Sequence, residues 1–415
     1  MAMMVFVAMT RTEIAYGDPV ATFSTYADQP YSVFLDSALV DPIYGRYSYI
    51  AVNPSAIVTD HPFERMEEVA AESPGGLWLG YLGYELYHYS EAVPVHPGQL
   101  PECWMGYFET VCVYDNFEKR AWRMGAAADG RGSITDAGGR ELHPLPPASR
   151  DSYLDNVLRV KKYLQAGDCY QVNLSQEFSS PAGGESPWNT YLKLRKICPT
   201  PYAAYLNCGN FQVVSASPEC FLKMEAGRVL TRPIKGTRRR GKNPQEDAAL
   251  REELVVSPKD RAELLMIIDL ERNDLGRVCR PGSVQVADLG VIESFANVHH
   301  LVATVEGQLK NGVRPLDVIR AIFPGGSITG APKVRALEII HELESGPRGV
   351  YTGTIGWIGP KAAYLNIAIR TMVIQDGVAT YRAGGGIVID SDPEEEYREL
   401  MTKGESLREA LELKP

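Results

Sequence analysis

The sequence has no apolar run approaching the roughly 18 residues that a membrane-spanning helix requires, which excludes a helical membrane protein. Positive charge is also short. There are 42 Lys and Arg against 52 Asp and Glu, and the net charge of −10 is opposite to the bias that non-specific nucleic-acid binding demands. No C-x-x-C pair occurs. The seven cysteines (103, 112, 169, 198, 208, 220 and 279) are odd in number and scattered, which argues against a zinc ribbon or a disulfide framework and for reduced thiols in the cytoplasm. There is no repeat of fixed period and no low-complexity tract. The first ten residues lack a basic leader and a cleavage site, and they read as a first strand, not a signal peptide.

What is present is 415 residues of ordinary globular composition, 45% hydrophobic, enough for two or three domains or one large interleaved body. Residues 125–150, rich in Gly, Ala and Pro, read as a linker or loop between an N-terminal region, 1–124, and a second region, 151–415. Short strands are expected at 46–52, 77–82 and 107–114. A helix follows from Asp151, with Leu154, Leu158, Lys161 and Leu164 on one stripe and Gly167 as its end. Residues 170–178 alternate, placing Tyr170, Val172 and Leu174 on one face and Gln171, Asn173 and Ser175 on the other. Ser257-Pro258 opens a helix that should stop near Gly276. Further helices are expected from Pro332 and from Asp392-Pro393 to Leu411, and strands at 297–305, 351–358, 365–374 and 383–389. The class is α+β.

Four stretches could carry chemistry. In PEEEYRELMTK, the helical advance of 100° per residue places Glu396, Glu399 and Lys403 on one stripe. Two carboxylates there suit a hard cation such as Mg²⁺, or they merely complement the helix dipole. The preceding AGGGIV lets backbone at Gly384, Gly385 and Gly386 approach a ligand or a neighbouring strand. FPGGSITGAPKVRALEII joins glycines and hydroxyls to a helix N-terminus, a setting for an anion. Its Glu338 is either a metal ligand or a solvated partner of Arg335 or His341. TRPIKGTRRRGK reads as a solvated basic loop, except that Lys235 is bracketed by Pro233-Ile234 and Gly236-Thr237. A lysine constrained and partly desolvated in this way can act as a nucleophile. His299 and His300 share a strand and so face opposite ways, which argues against a two-histidine metal site.

These stretches, together with GDCYQVNLS (167–175), PTPYAAYL (199–206), SASPECF (215–221), DRAELLMIIDLERNDLGRVC (260–279), YTGTIG (351–356) and LNIAIRT (365–371), resemble the chorismate-utilising enzymes of the anthranilate synthase component I family over nearly the whole chain. The resemblance implies a large interleaved two-sheet β sandwich with helices packed outside. Anthranilate-forming members resemble PIAGT where this chain reads PIKGT, so Lys235 points to the aminodeoxychorismate-forming branch, which serves 4-aminobenzoate and folate synthesis. Gln171, which the resemblance also implies as a substrate-binding residue, stands where isochorismate- and salicylate-forming relatives carry a water-activating lysine.

The implied roles are Lys235 as nucleophile and Glu219 as general acid, with His300 and Thr329 lining the ring. Tyr351, Arg370 and the backbone of Gly384–Gly386 would hold the pyruvyl carboxylate, and Lys403 the ring carboxylate. Mg²⁺ would be held by Glu338 and Glu399 with Glu396 close by. Ammonia would come from a separate glutamine amidotransferase subunit, and removal of pyruvate would need another enzyme. FLDSA (34–38) and GRYSYI (45–50) are similar to the family's tryptophan-binding region, with Ser37 and Tyr47 as candidates; plain core packing explains them equally. Anthranilate formation, or a non-catalytic subunit that binds chorismate or an amidotransferase, are the alternatives.

Overall fold

The computed structural model describes residues 9–125, 149–295 and 298–412. The core of the expected linker, residues 126–148, lies outside them, as do most of the expected first strand and the first residue of the strand expected at 297–305. Two antiparallel sheets dominate, of eleven and ten strands among the described residues. Both draw on the two ends of the sequence. In the larger sheet the strand Val33–Asp36 pairs with Tyr202–Asn207, and in the smaller one Leu77–Leu82 pairs with Thr354–Ile358.

The layers follow from which faces are apolar. Between the sheets lie Leu35, Leu79, Tyr81, Trp104, Leu206 and Val213. The outer face of the smaller sheet is covered by helices Pro62–Glu72, Pro258–Val278 and Pro315–Ile322. The larger sheet packs against Pro187–Ile197 and Pro393–Glu412 on one stretch and Arg150–Ala166 and Lys333–Leu343 on another. This is the α+β sandwich with external helices.

Local signals explain the helix ends, with corrections. Ser257 accepts from Asp260 N at 3.3 Å with Pro258 in the first turn, as expected, but the helix runs through Gly276 to Val278. In Arg150–Ala166 the cap is Ser149, accepting from Ser152 N at 3.1 Å, and not Asp151. The buried stripe there is Tyr153, Val157, Val160 and Leu164, while Leu158 is 48% exposed. The expected and observed stripes both have helical spacing, and the one bearing the aromatic ring and β-branched residues is turned inward.

The stretch expected as one strand at 365–374 is two, Ala363–Asn366 in the smaller sheet and Thr371–Gln375 in the larger. The chain changes sheets between them, turning at Arg370, whose φ is 49°. Tyr351 likewise sits in a turn, and its strand begins at Thr354.

Candidate active site

The strands Ile234–Arg239 and Val298–Gln308 of the smaller sheet face the strand Val378–Ile387 of the larger across a cavity of about 690 Å³. Residues of the helices Pro258–Val278 and Pro393–Glu412 line it as well. A space of this size and mixed lining is what a small polar ligand requires.

Lys235 enters from a β-bulge, because the register between Ile234–Arg239 and its partner shifts between Ile234 and Thr237. Gly236 permits the bulge. Its φ is 78°, and a Cβ there would stand 2.7 Å from Leu254 Cδ1 and 2.9 Å from the Asp260 carboxylate. Burial pulls the Lys235 amine below the ordinary lysine pKa. Glu263, Glu219 and Glu399 oppose that shift, and Lys403 adds to it. Nζ donates to the carbonyl of Ser327 at 3.3 Å.

Glu219 is buried and faces the same space. Burial raises its pKa against the lowering effect of a hydrogen bond from Ser327 Oγ at 2.6 Å and of the Lys235 charge. The site thus pairs a carboxyl biased toward its acid with an amine biased toward its base, the arrangement expected of acid and nucleophile.

His300 bonds through Nδ1 to Thr237 Oγ1 at 2.9 Å, while Nε2 is buried without a partner among the described residues. Burial and the nearby Arg370 bring its pKa down to about 3, so the ring is neutral. His299 points away, to Ser294 at 2.7 Å and Asp247 at 3.1 Å, as strand alternation requires. Asn173 Oδ1, on the cavity wall, and both polar atoms of Gln171, packed against Gly386, are also buried and unpartnered among the described residues. Buried polar atoms are seldom left unpaired, so this cluster marks where a hydrogen-bonding ligand or water belongs.

Arg370 faces the cavity with one hydrogen bond, to Cys198 Sγ at 3.2 Å, and no carboxylate partner among the described residues. Its charge is available to an anion. Arg382 differs. It and Arg348 both bind the buried Glu344, at 2.9 and 2.7 Å, so their charges are spent on structure. Tyr351 lies between the cavity and a second space of 230 Å³.

At the other end Lys403 donates to Gly384 O at 3.0 Å and pairs with Glu399 at 2.7 Å. Lys403 is the main cause that lowers the Glu399 pKa. Glu396 is buried, raised in pKa by burial, and accepts from Ser391 Oγ at 2.7 Å. Gly385 lets this group approach the strand, since a Cβ there would meet Glu396 Oε2 at 3.3 Å.

Three side chains expected here stand off the cavity wall, Gln171 among them. Glu338 is on the outer face of Lys333–Leu343, half exposed and paired with Arg335 at 2.7 Å, so it cannot join Glu396 and Glu399 around an ion. Thr329 is fully buried, but its hydroxyl donates to Gly325 O at 3.0 Å and holds the loop, leaving it off the cavity wall. The basic stretch is not a solvated loop either. Arg238, Arg239 and Arg240 pair with Glu253, Glu246 and Asp247.

The carboxylate that sequence reading missed is Glu263. It lines the cavity beside Lys235, makes no hydrogen bond or ion pair among the described residues, and has its pKa raised by burial while Lys235 and Lys259 lower it and Glu399 raises it. The sequence shows only the stripe it belongs to, with nothing that singles it out. Glu263, Ile267, Glu271 and Asp274 fall at helical spacing, and the last three are buried.

Among the described residues no three His, Cys, Asp or Glu form a metal cage by themselves. Glu263, Glu396 and Glu399 all line the cavity, and one or two carboxylates are what Mg²⁺ takes from a protein before substrate oxygen and water complete its shell.

Ser37 and Tyr47 line a separate pocket of only 40 Å³, walled by Tyr49, Tyr202, Trp357 and Tyr364. That is room for a few waters, not for an indole.

The model of a family described as chorismate binding enzyme matches residues 11–409. Aminodeoxychorismate synthase component 1 of Bacillus subtilis (strain 168) is 39% identical over 361 residues, spanning 81% of this chain and 77% of that relative. Anthranilate synthase component 1 of Acetivibrio thermocellus is 33% identical over 461 residues, spanning 95% and 92%. Among solved structures, anthranilate synthase component I from Streptococcus pneumoniae TIGR4 matches with a TM-score of 0.75 and 29% identity, over 95% of this chain and 99% of that one.

Proposed function

The chain belongs to the family of chorismate binding enzymes, and from that premise we propose that it replaces the C4 hydroxyl of chorismate with an amino group, giving 4-amino-4-deoxychorismate. The observation that carries this reading is the half-buried Lys235 on its bulge, in the same cavity as the buried Glu219 carboxyl.

Hydroxide is a poor leaving group, so the C4 oxygen needs a proton. The neutral Lys235 lone pair forms a bond to C2, the ring double bond shifts, and the C4–O bond breaks as Glu219 protonates the oxygen, which leaves as water. Ammonia then bonds to C4, the double bond shifts back, and the C2–N bond breaks. The surplus proton of the bound ammonia returns to Glu219, and the lysine is regenerated. One difficult substitution becomes two easier ones.

Arg370 and the backbone of Gly384–Gly386 take one substrate carboxylate, and Lys403 takes the other. Neutral His300 offers Nε2 to the ring face. Mg²⁺, when held by Glu263 and Glu399 with Glu396 near, supplies charge neutralisation and orientation. A separate glutamine amidotransferase subunit supplies the ammonia, with free ammonium as its substitute in vitro.

Product analysis tests the reading. Protein given chorismate, ammonium and Mg²⁺ should consume chorismate without fluorescent product, and 4-aminobenzoate should appear only after an aminodeoxychorismate lyase is added. Direct release of anthranilate would replace this proposal with the ortho-amination seen in the name of the Acetivibrio relative. No consumption at all would leave a binding subunit.

A further inference from the structure

One residue touches both groups that the proposed reaction uses. Ser327, buried in the short turn Gly326–Ile328, donates through Oγ to Glu219 Oε1 at 2.6 Å, and its carbonyl accepts from Lys235 Nζ at 3.3 Å. The turn is itself anchored from behind, where Gly326 N donates to the buried Glu271 at 3.1 Å. Glu219 Oε1 receives a second donor, Ile234 N, at 3.4 Å, whereas Oε2 has no partner among the described residues.

We infer that Ser327 is a positioning residue that fixes which oxygen of Glu219 carries the transferable proton and which way the Lys235 lone pair points; the inference rests on the acid and nucleophile roles given above. An oxygen that already accepts two N–H or O–H donors is the poorer place for a proton, so the acidic hydrogen belongs on Oε2, the oxygen left free. For the amine, donation of one N–H to the Ser327 carbonyl leaves the lone pair directed away from that carbonyl. A single turn therefore aims the proton and the electron pair together, and a displacement of the turn would misalign both.

The test compares the parent with Ser327→Ala, Ser327→Thr, Glu219→Gln and the double variant Ser327→Ala with Glu219→Gln. Chorismate and Mg²⁺ are mixed with each without ammonia, the Lys235 adduct is followed by rapid quench and intact mass, and chorismate affinity is measured by calorimetry. Ser327→Ala should slow adduct formation by about 10–100-fold with affinity within about threefold, and Ser327→Thr should recover most of the rate.

The hydroxyl's bond lowers the Glu219 pKa. Its loss should therefore keep Glu219 protonated to higher pH and move the alkaline limb of the rate profile upward, which a merely structural defect would not do. In the Glu219→Gln background Ser327→Ala should add less than about twofold. A parental rate and limb in Ser327→Ala, or an undiminished effect in the Glu219→Gln background, would overturn the inference. Should Ser327→Ala not fold, Ser327→Cys, a near-isosteric and weaker donor, reads the same limb in the same direction. If the parent consumes chorismate without any adduct, the nucleophile reading falls, and the Ser327 effect is still read on Glu219 from chorismate consumption.

Discussion

Two pockets lie against the paired sheets, and motif resemblance marked both. The one around Lys235 encloses about 690 Å³, and the one around Ser37 and Tyr47 about 40 Å³. Their polar groups differ as well, although the Tyr202 hydroxyl of the small pocket is also unpartnered among the described residues. Among the described residues the large cavity holds an unpartnered His300 Nε2, an unpartnered Asn173 Oδ1 and an arginine without a carboxylate. In the small pocket Asp36 is bound by Arg195 at 2.6 Å, Tyr191 at 2.8 Å and Ser48 at 3.0 Å. The Ser37 hydroxyl donates to Tyr47 O at 2.8 Å. A ligand site needs space and unspent polar groups together, and only the first pocket has both. Motif residues place a pocket; their neighbours decide whether anything fits in it.

The sharpest way to break the comparison is to remove the feature that makes the large cavity chemical. Lys235→Ala should lower turnover by at least about 10³-fold and abolish any covalent adduct, while chorismate still binds, because Arg370, Lys403 and the glycine strand are untouched. Steady-state rates with calorimetry check this. Full activity in the variant would reduce Lys235 to a wall residue.

A second contrast lies within the acids. Glu263→Gln should raise the Mg²⁺ concentration for half-maximal activity by at least about tenfold, whereas Glu338→Gln, a change on an exposed surface pair, should leave it alone. Equal effects, or the reverse order, would show that the helix Lys333–Leu343 contributes the ion ligand after all.

That contrast also measures what the sequence made legible. Lys235, the Gly384–Gly386 strand, Glu396, Glu399 and Lys403 could be read because each sits in a short local pattern, whereas Glu219 came only with the family resemblance. A lysine between Pro-Ile and Gly-Thr, three consecutive glycines and acids spaced along a helix start all announce themselves within a dozen residues. Glu263 could not be picked out from one turn of helix. It is separated from Glu399 by 136 positions and meets it only when two helices converge on the same cavity. The clamp of Arg348 and Arg382 on Glu344 was invisible for the same reason, since each residue alone is an ordinary surface type. The fold class followed from strand and helix patterns. The sheet change at Arg370 did not, because the apolar run through 365–374 reads as one continuous strand and only the left-handed turn at Arg370 divides it.

The smallest expected effect on activity comes from the closed pocket, where the measurement is stability. Trp357 forms one wall there, its ring centroid 5.9 Å from that of Tyr49, and it is 5% exposed. Trp357→Ala should cost about 3–5 kcal/mol of folding stability, the usual range for removing a buried indole, and leave a cavity of indole shape. Free indole should then raise the melting temperature of the variant, since a ligand that binds only the folded state stabilises it by mass action. Tryptophan should do so less, because the Asp36 carboxylate that could greet its ammonium group is already held by Arg195 and Tyr191. In the parent, neither compound should move the melting temperature. A rise with tryptophan in the parent would mean that the aromatic wall opens, and the two pockets would then differ in specificity and not in vacancy.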